Sequence, residues 1–80
     1  MWEENNNGLV KEFKFEDFQT AMDFMQECIA PIEAINHHPE WSNVYNTVNV
    51  RLTTHDEGNT ITEKDRKLAI EIDRVYCQYL

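Results

Sequence analysis

The sequence predicts an α+β fold, a two-layer sandwich in which a four-stranded antiparallel sheet carries both helices on one face, in the order ββαββα. Three observations predict it. Apolar residues step by 3, 4, 3, 4, 3 from Phe15 through Phe18, Met22, Met25 and Ile29 to Ile32, a helical rhythm. Val48, Val50 and Leu52 alternate with Asn49, Arg51 and Thr53, the pattern of a strand with one buried face. Asn5-Asn6-Asn7-Gly8 is turn chemistry between two short strand-like runs, since Asn and Gly tolerate positive φ.

The elements follow in order. Trp2 to Glu4 is a short strand, and Leu9 to Phe15 is its partner, with Leu9, Lys11, Phe13 and Phe15 on one parity. The first helix carries Ala21, Phe24, Cys28 and Ile35 beside its main stripe, and Asp17 near its start suits the helix dipole. Pro31 removes a backbone hydrogen bond within it, so one kinked helix ending near Asn36 is expected. His37 to Glu40 is a loop fixed by Pro39. Trp41 to Tyr45 and Thr47 to Thr54 are strands joined tightly at Asn46. Asp56 to Asn59 is a loop. Thr62-Glu63-Lys64-Asp65 starts the last helix as a capping box, with Leu68, Ala69, Ile72, Val75, Tyr76 and Tyr79 on its apolar face.

Eighty residues make one small domain, expected to span 1–80. A formal net charge of −8 lacks the basic footprint that phosphate backbones or anionic lipid require, so no direct nucleic-acid contact is expected. A hydrophobic fraction of 41% argues for a folded chain rather than a solvating tail. No run approaches the roughly 20 apolar residues of a membrane helix. Met1 to Gly8 has the character of neither a secretory signal nor a transit peptide, so the expected location is cytoplasmic. Cys28 and Cys77 lie in helical apolar patterns without CxxC spacing and read as reduced, buried thiols. A core this small is marginally stable, which favours self-association.

The chemistry-bearing residues are His37 and His38, adjacent and braced by Pro39, and His55 at the end of the strand with the clearest alternation. Glu33, Asp56 and Asp65 are the carboxylates placed to reach them. Taken singly, a strand-end histidine is more often a solvated surface residue, Asp65 a helix cap, and Trp41 or Tyr45 a sheet-packing aromatic. A zinc site is disfavoured, because adjacent histidines point apart and no cysteine is near. Acid–base chemistry without metal fits better. Histidine both gives and takes a proton near neutral pH, and two such groups can remove water from a substrate without a nucleophile.

The run Glu33 to Asn46, containing His37-His38-Pro39-Glu40-Trp41 and Tyr45, followed by Thr54-His55-Asp56 and then Asp65, resembles the pterin-4a-carbinolamine dehydratase family. The likeness covers almost the whole chain. It implies dehydration of a 4a-hydroxytetrahydropterin to the quinonoid dihydropterin, in recycling of tetrahydrobiopterin, with no cofactor and no metal. It implies His37 and His55 as the acid–base pair, His38 as a pterin-binding residue, Glu33 at the pocket, Asp65 tuning a histidine, and Pro39 and Trp41 shaping the wall. It also implies a homodimer or homotetramer. An alternative is a non-catalytic interaction protein that stabilises dimers of a transcription factor. Pro31 and Asn59 depart from the family pattern, the first standing among ordinary helix formers and the second where another glycine is common.

Overall fold

The computed structural model describes residues 1–80. Four strands form one sheet: β1 (Glu3–Asn5), β2 (Gly8–Lys14), β3 (Glu40–Val44) and β4 (Thr47–Leu52). Their order across the sheet is β1-β2-β4-β3, and every neighbouring pair is antiparallel. Two helices, α1 (Phe18–Ile35) and α2 (Glu63–Tyr76), contribute to one shared core with the sheet. The expected ββαββα sandwich is the observed one.

Turn chemistry sets the registers. Asn6 and Asn7 take φ of 52° and 64°, so the hairpin closes in two residues and pairs Asn5 with Gly8. Gly8 makes room for a side chain crossing the strand. A Cβ there would lie 2.6 Å from the guanidinium of Arg51, which crosses it to donate to the carbonyls of Asn5 and Asn6. The second hairpin turns at Tyr45 and Asn46, with Tyr45 at φ 50°. Tyr45 therefore belongs to the turn and not to the expected strand. The Asn43 amide clamps that turn by donating to the carbonyls of Tyr45 and Thr47.

The core is built from the inner parity of the sheet and one face of each helix. Leu9, Phe13, Val48, Val50 and Leu52 meet Ala21, Phe24, Cys28 and Ile32 of α1 and Leu68, Ala69 and Ile72 of α2. Phe13 is fully buried, with ring centroids 4.8 Å from Tyr76, 5.1 Å from Phe24 and 5.8 Å from Trp2. Such edge-on and tilted contacts add to the area buried.

Several expectations are corrected. The main apolar stripe of α1 is rotated: Phe18 and Ile29 are 49% and 53% exposed, while the flanking Ala21, Phe24 and Cys28 are buried. The apolar face is wider than the sheet and α2 can cover, so its edge stays in solvent. As expected, Pro31 lies inside α1 without splitting it, and the helix ends at Ile35. Strand β4 stops at Leu52, two residues short of the expected end. Thr53 is buried despite its outer parity, because its hydroxyl donates to Asn7 O beneath the first hairpin. Cys77 is exposed, since α2 tightens into a 3-10 turn at Cys77–Tyr79 that leaves the packing face. Cys28 is buried as expected, and burial with the neighbouring Glu27 charge pushes its thiol up to about 12.

Candidate active site

The two ends of α1 show how local sequence places the site. Asp17 caps the start, accepting from Thr20 N–H at 2.9 Å and from the Thr20 hydroxyl at 2.7 Å. At the other end Asn36 adopts the left-handed conformation, φ 58° and ψ 45°. Its N–H donates to Glu33 O, and the N–H of His37 donates back to Ile32 O. This is a Schellman stop, and it makes His37 the first residue held outside the helix.

The imidazole of His37 then meets α2. Its Nε2 lies 2.5 Å from Oδ1 of Asp65, and the two side chains are 11% and 0% exposed. Asp65 reaches that place because it is the N3 residue of a capping box. Thr62 N–H donates to Asp65 Oδ2 at 2.8 Å, while the Thr62 hydroxyl accepts from Lys64 N–H. The same Oδ2 accepts the Thr54 hydroxyl at 2.7 Å. Burial pushes the Asp65 carboxyl up. Hydrogen bonds from His37, Thr62 N–H and Thr54, with the charge of His37, outweigh it and hold the carboxyl below its usual range.

An ionised carboxylate only accepts, so His37 donates through Nε2–H, and Nδ1 is the nitrogen left to exchange a proton. The other two histidines have partners of their own. His38 Nε2 is 2.8 Å from Glu33 Oε2, both largely exposed. His55 Nδ1 is 2.6 Å from Asn59 Oδ1, and its Nε2 is 3.4 Å from Glu40 Oε2. His55 is not a strand residue. It opens a 3-10 turn, His55–Glu57, which ends at Gly58 with φ 80°.

The structure thus pairs Glu33 with His38 and Asp65 with His37, and sets Glu40 at His55. Asp56 is exposed, and its carboxylate is not among the hydrogen-bond or ion-pair partners of His55. Pro39 lies half-buried in the loop between His38 and β3. Trp41 is half-buried against the core and pairs with Val50. A depression of about 720 Å³ on the open face of the sheet is lined by Glu40, Trp41, Ser42, Asn49 and Arg51, among others. No histidine lines it, and Glu40 is its link to His55. No three His, Cys, Asp or Glu side chains converge as a metal-holding group.

Two residues of the site were not foreseen, Thr54 and Thr62. The signal for Thr54 was present. It continues the inner parity of Val48, Val50 and Leu52, so a polar residue points inward directly before His55.

Comparison with known proteins gives the family. The family profile described as Pterin 4 alpha carbinolamine dehydratase matches residues 1–75. The chain belongs to the pterin-4a-carbinolamine dehydratase family. A protein of Opitutus terrae, provisionally named a pterin-4-alpha-carbinolamine dehydratase, is 45% identical over 74 residues, covering 92% of this chain and 76% of that one. One of the same provisional name from Prochlorococcus marinus strain NATL2A is 49% identical over 92% of this chain and 77% of its own length. Among solved structures, a transcriptional coactivator/pterin dehydratase from Brucella melitensis superposes with a TM-score of 0.87 at 41% identity, covering 92% of this chain and 80% of that one. A pterin dehydratase-like RuBisCO assembly factor of the alpha-carboxysome shares the fold, with a TM-score of 0.73 at 22% identity, over 94% of this chain and 86% of that one.

Proposed function

We propose that this member of the pterin-4a-carbinolamine dehydratase family dehydrates a 4a-hydroxytetrahydropterin to the quinonoid dihydropterin and water, in recycling of tetrahydrobiopterin. The observation that carries the reading is the His37–Asp65 pair, a histidine whose tautomer is set by a buried, ionised carboxylate. The 4a-hydroxyl takes a proton and leaves as water. The N5–H proton is removed, and its electron pair becomes the C4a=N5 bond. His55, whose Nδ1 is held by Asn59 Oδ1 at 2.6 Å, gives the proton to the hydroxyl. His37 is the base at Nδ1, and Asp65 stabilises the imidazolium that forms. His38, held by Glu33, contacts the pterin, with Pro39 and Trp41 as the wall. No cofactor or metal is needed for these proton transfers.

The test follows the ultraviolet signal of the carbinolamine with purified protein, His37→Ala and His55→Ala. Losses of about 10²- to 10⁴-fold in kcat are expected for each. Wild-type rates in both variants would overturn the assignment.

A second reading is an interaction role, alone or beside catalysis. It is favoured by the exposed Phe18 and Ile29 on α1 and by the likeness to the Brucella melitensis protein, a transcriptional coactivator/pterin dehydratase. The same edge of α1 suits self-association into a homodimer or homotetramer. A sedimentation measurement that gives a monomer at all concentrations would remove the self-association proposal.

A further inference from the structure

We propose that Thr54 is a positioning residue of the site: its hydroxyl fixes the carboxylate of Asp65 that orients His37, and its backbone anchors the turn that presents His55. The activity arm of this inference rests on the dehydratase reading; its structural arm does not.

Thr54 is 2% exposed and lies two residues beyond Leu52, the end of β4. A hydroxyl has one proton to give. Asp65 Oδ2 at 2.7 Å accepts only, so the Thr54 proton goes there. The contact between the hydroxyls of Thr54 and Thr62, also 2.7 Å, must then be donated by Thr62. The direction of the whole network follows: Thr62 hydroxyl to Thr54, Thr54 to Asp65, and His37 Nε2–H to the other oxygen of the same carboxylate. No buried side-chain polar atom lacks a partner, so the network is complete as drawn. Removing the Thr54 hydroxyl leaves Asp65 with one donor fewer in a site water does not reach. The carboxylate is then held by Thr62 N–H at Oδ2 and by His37 at Oδ1 alone, and its orientation is less closely fixed.

The backbone of Thr54 is held as firmly. Its N–H donates to Thr60 O at 2.9 Å, and its carbonyl accepts from Thr60 at 3.3 Å and from Glu57 at 3.3 Å. These bonds close the loop that begins at His55. One residue therefore joins the two histidines proposed to act on the substrate, touching neither the substrate nor the reacting atoms.

Thr54→Val keeps the shape and removes the hydroxyl, and Thr54→Ser keeps the hydroxyl. Two readouts are taken on both variants: kcat and KM for the carbinolamine, and the hydrogen-bonded Nε2–H signal of His37 by ¹⁵N-resolved NMR. For Thr54→Val, kcat is expected to fall about 10- to 100-fold with KM within about twofold, as for a group displaced by a fraction of an ångström. The His37 proton signal should broaden or vanish in Thr54→Val and persist in Thr54→Ser, where kcat returns towards wild type. Should valine not fold, Thr54→Ala carries the same comparison. A His37 signal and kcat unchanged in folded Thr54→Val would overturn the proposal, as would equal losses in Thr54→Ser and Thr54→Val. If wild-type protein has no dehydratase activity, the dehydratase reading fails, and the NMR signal alone still decides the role of Thr54.

Discussion

His37 and Asp65 form a hydrogen-bonded pair of 2.5 Å in which the carboxylate is wholly out of solvent and the imidazole nearly so. The His38–Glu33 pair is of similar length, 2.8 Å, yet its members are 61% and 66% exposed. Water and salt screen the second pair and leave it little energy. The first works in a low-dielectric pocket and has further donors behind it, so it fixes one geometry. Of the three histidines, His37 is the one whose tautomer the fold determines.

Asp65→Asn is expected to lower kcat by about 10²- to 10⁴-fold, in line with the loss of a carboxylate that sets a histidine tautomer. If the amide oxygen keeps Thr62 N–H and the Thr54 hydroxyl, the NH₂ faces His37 and forces the proton onto Nδ1. The base is then blocked at the atom it needs. Steady-state kinetics on folded Asp65→Asn checks this, and a loss confined to KM would contradict it.

Acid should destabilise the fold through the same residue. The folded-state pKa of Asp65 is lowered, so its carboxylate adds stability that is present above the ordinary value of 3.8 and is lost as pH falls through the folded value. Urea midpoints measured downward from pH 5 should drop below about pH 4 in wild type. Asp65→Asn should start lower and show a shallower acid decline. Parallel curves for the two proteins would assign the acid sensitivity to other carboxylates.

Much of this fold is legible in the sequence because its signals are local. The Asn6-Asn7 turn, the alternation of Val48, Val50 and Leu52 and the Thr62–Asp65 box each depend on neighbours within a few residues. What was not legible depends on long separations. Which edge of the α1 stripe is covered depends on where α2 lies, so periodicity alone does not tell that Phe18 and Ile29 stay exposed. Lys11 shares the parity of Phe13, but its partner Asp73 is 62 residues away. In the site, the motif spacing singled out Asp65 and His37. The Thr54 hydroxyl carries no spacing signature, and only its inward parity betrays it.

The Lys11–Asp73 ion pair, 2.8 Å long, is the chief polar tie between the sheet and α2. The Lys11 side chain is 17% exposed and lies 5.0 Å from the centre of the Phe13 ring. The indole N–H of Trp2 donates to both oxygens of the same carboxylate at 3.0 Å. Asp73→Ala leaves an ammonium and an indole N–H without their acceptor and should cost about 1–3 kcal/mol in urea unfolding. Adding Lys11→Met should recover part of that loss, since the lysine, 17% exposed where Asp73 is 40% exposed, no longer leaves a sheltered ammonium without its acceptor. A double variant less stable than Asp73→Ala would show that the lysine stem, rather than the pair, is what matters.

Pro31 costs α1 the hydrogen bond that residue 31 would otherwise give to Glu27 O, yet the helix runs on to Ile35. Pro31→Ala restores the donor. It should raise stability by about 1–3 kcal/mol, less whatever the ring contributes beside Ile35 and Ile70. The gain is read as a higher Tm with unchanged kcat, because the Schellman stop at Asn36 comes after it. A fall in kcat would mean that the proline sets the direction in which His37 leaves the helix.

Asn36 tests that direction itself. Its φ of 58° is open to glycine and tolerated by asparagine, but a β-branched side chain there meets its own backbone. Asn36→Gly should be close to neutral in stability and keep kcat. Asn36→Val should lose about 1–2 kcal/mol, and kcat should fall more than stability alone accounts for. The reason is geometric: the next residue is His37, and its N–H is one of the two that close the helix on Ile32 and Glu33. A valine that unwinds this stop moves the imidazole away from Asp65, whose own place is fixed by α2. Kinetics below the unfolding transition would separate the two effects, and an Asn36→Val protein that is less stable but equally fast would show that the stop supports the helix without aiming the histidine.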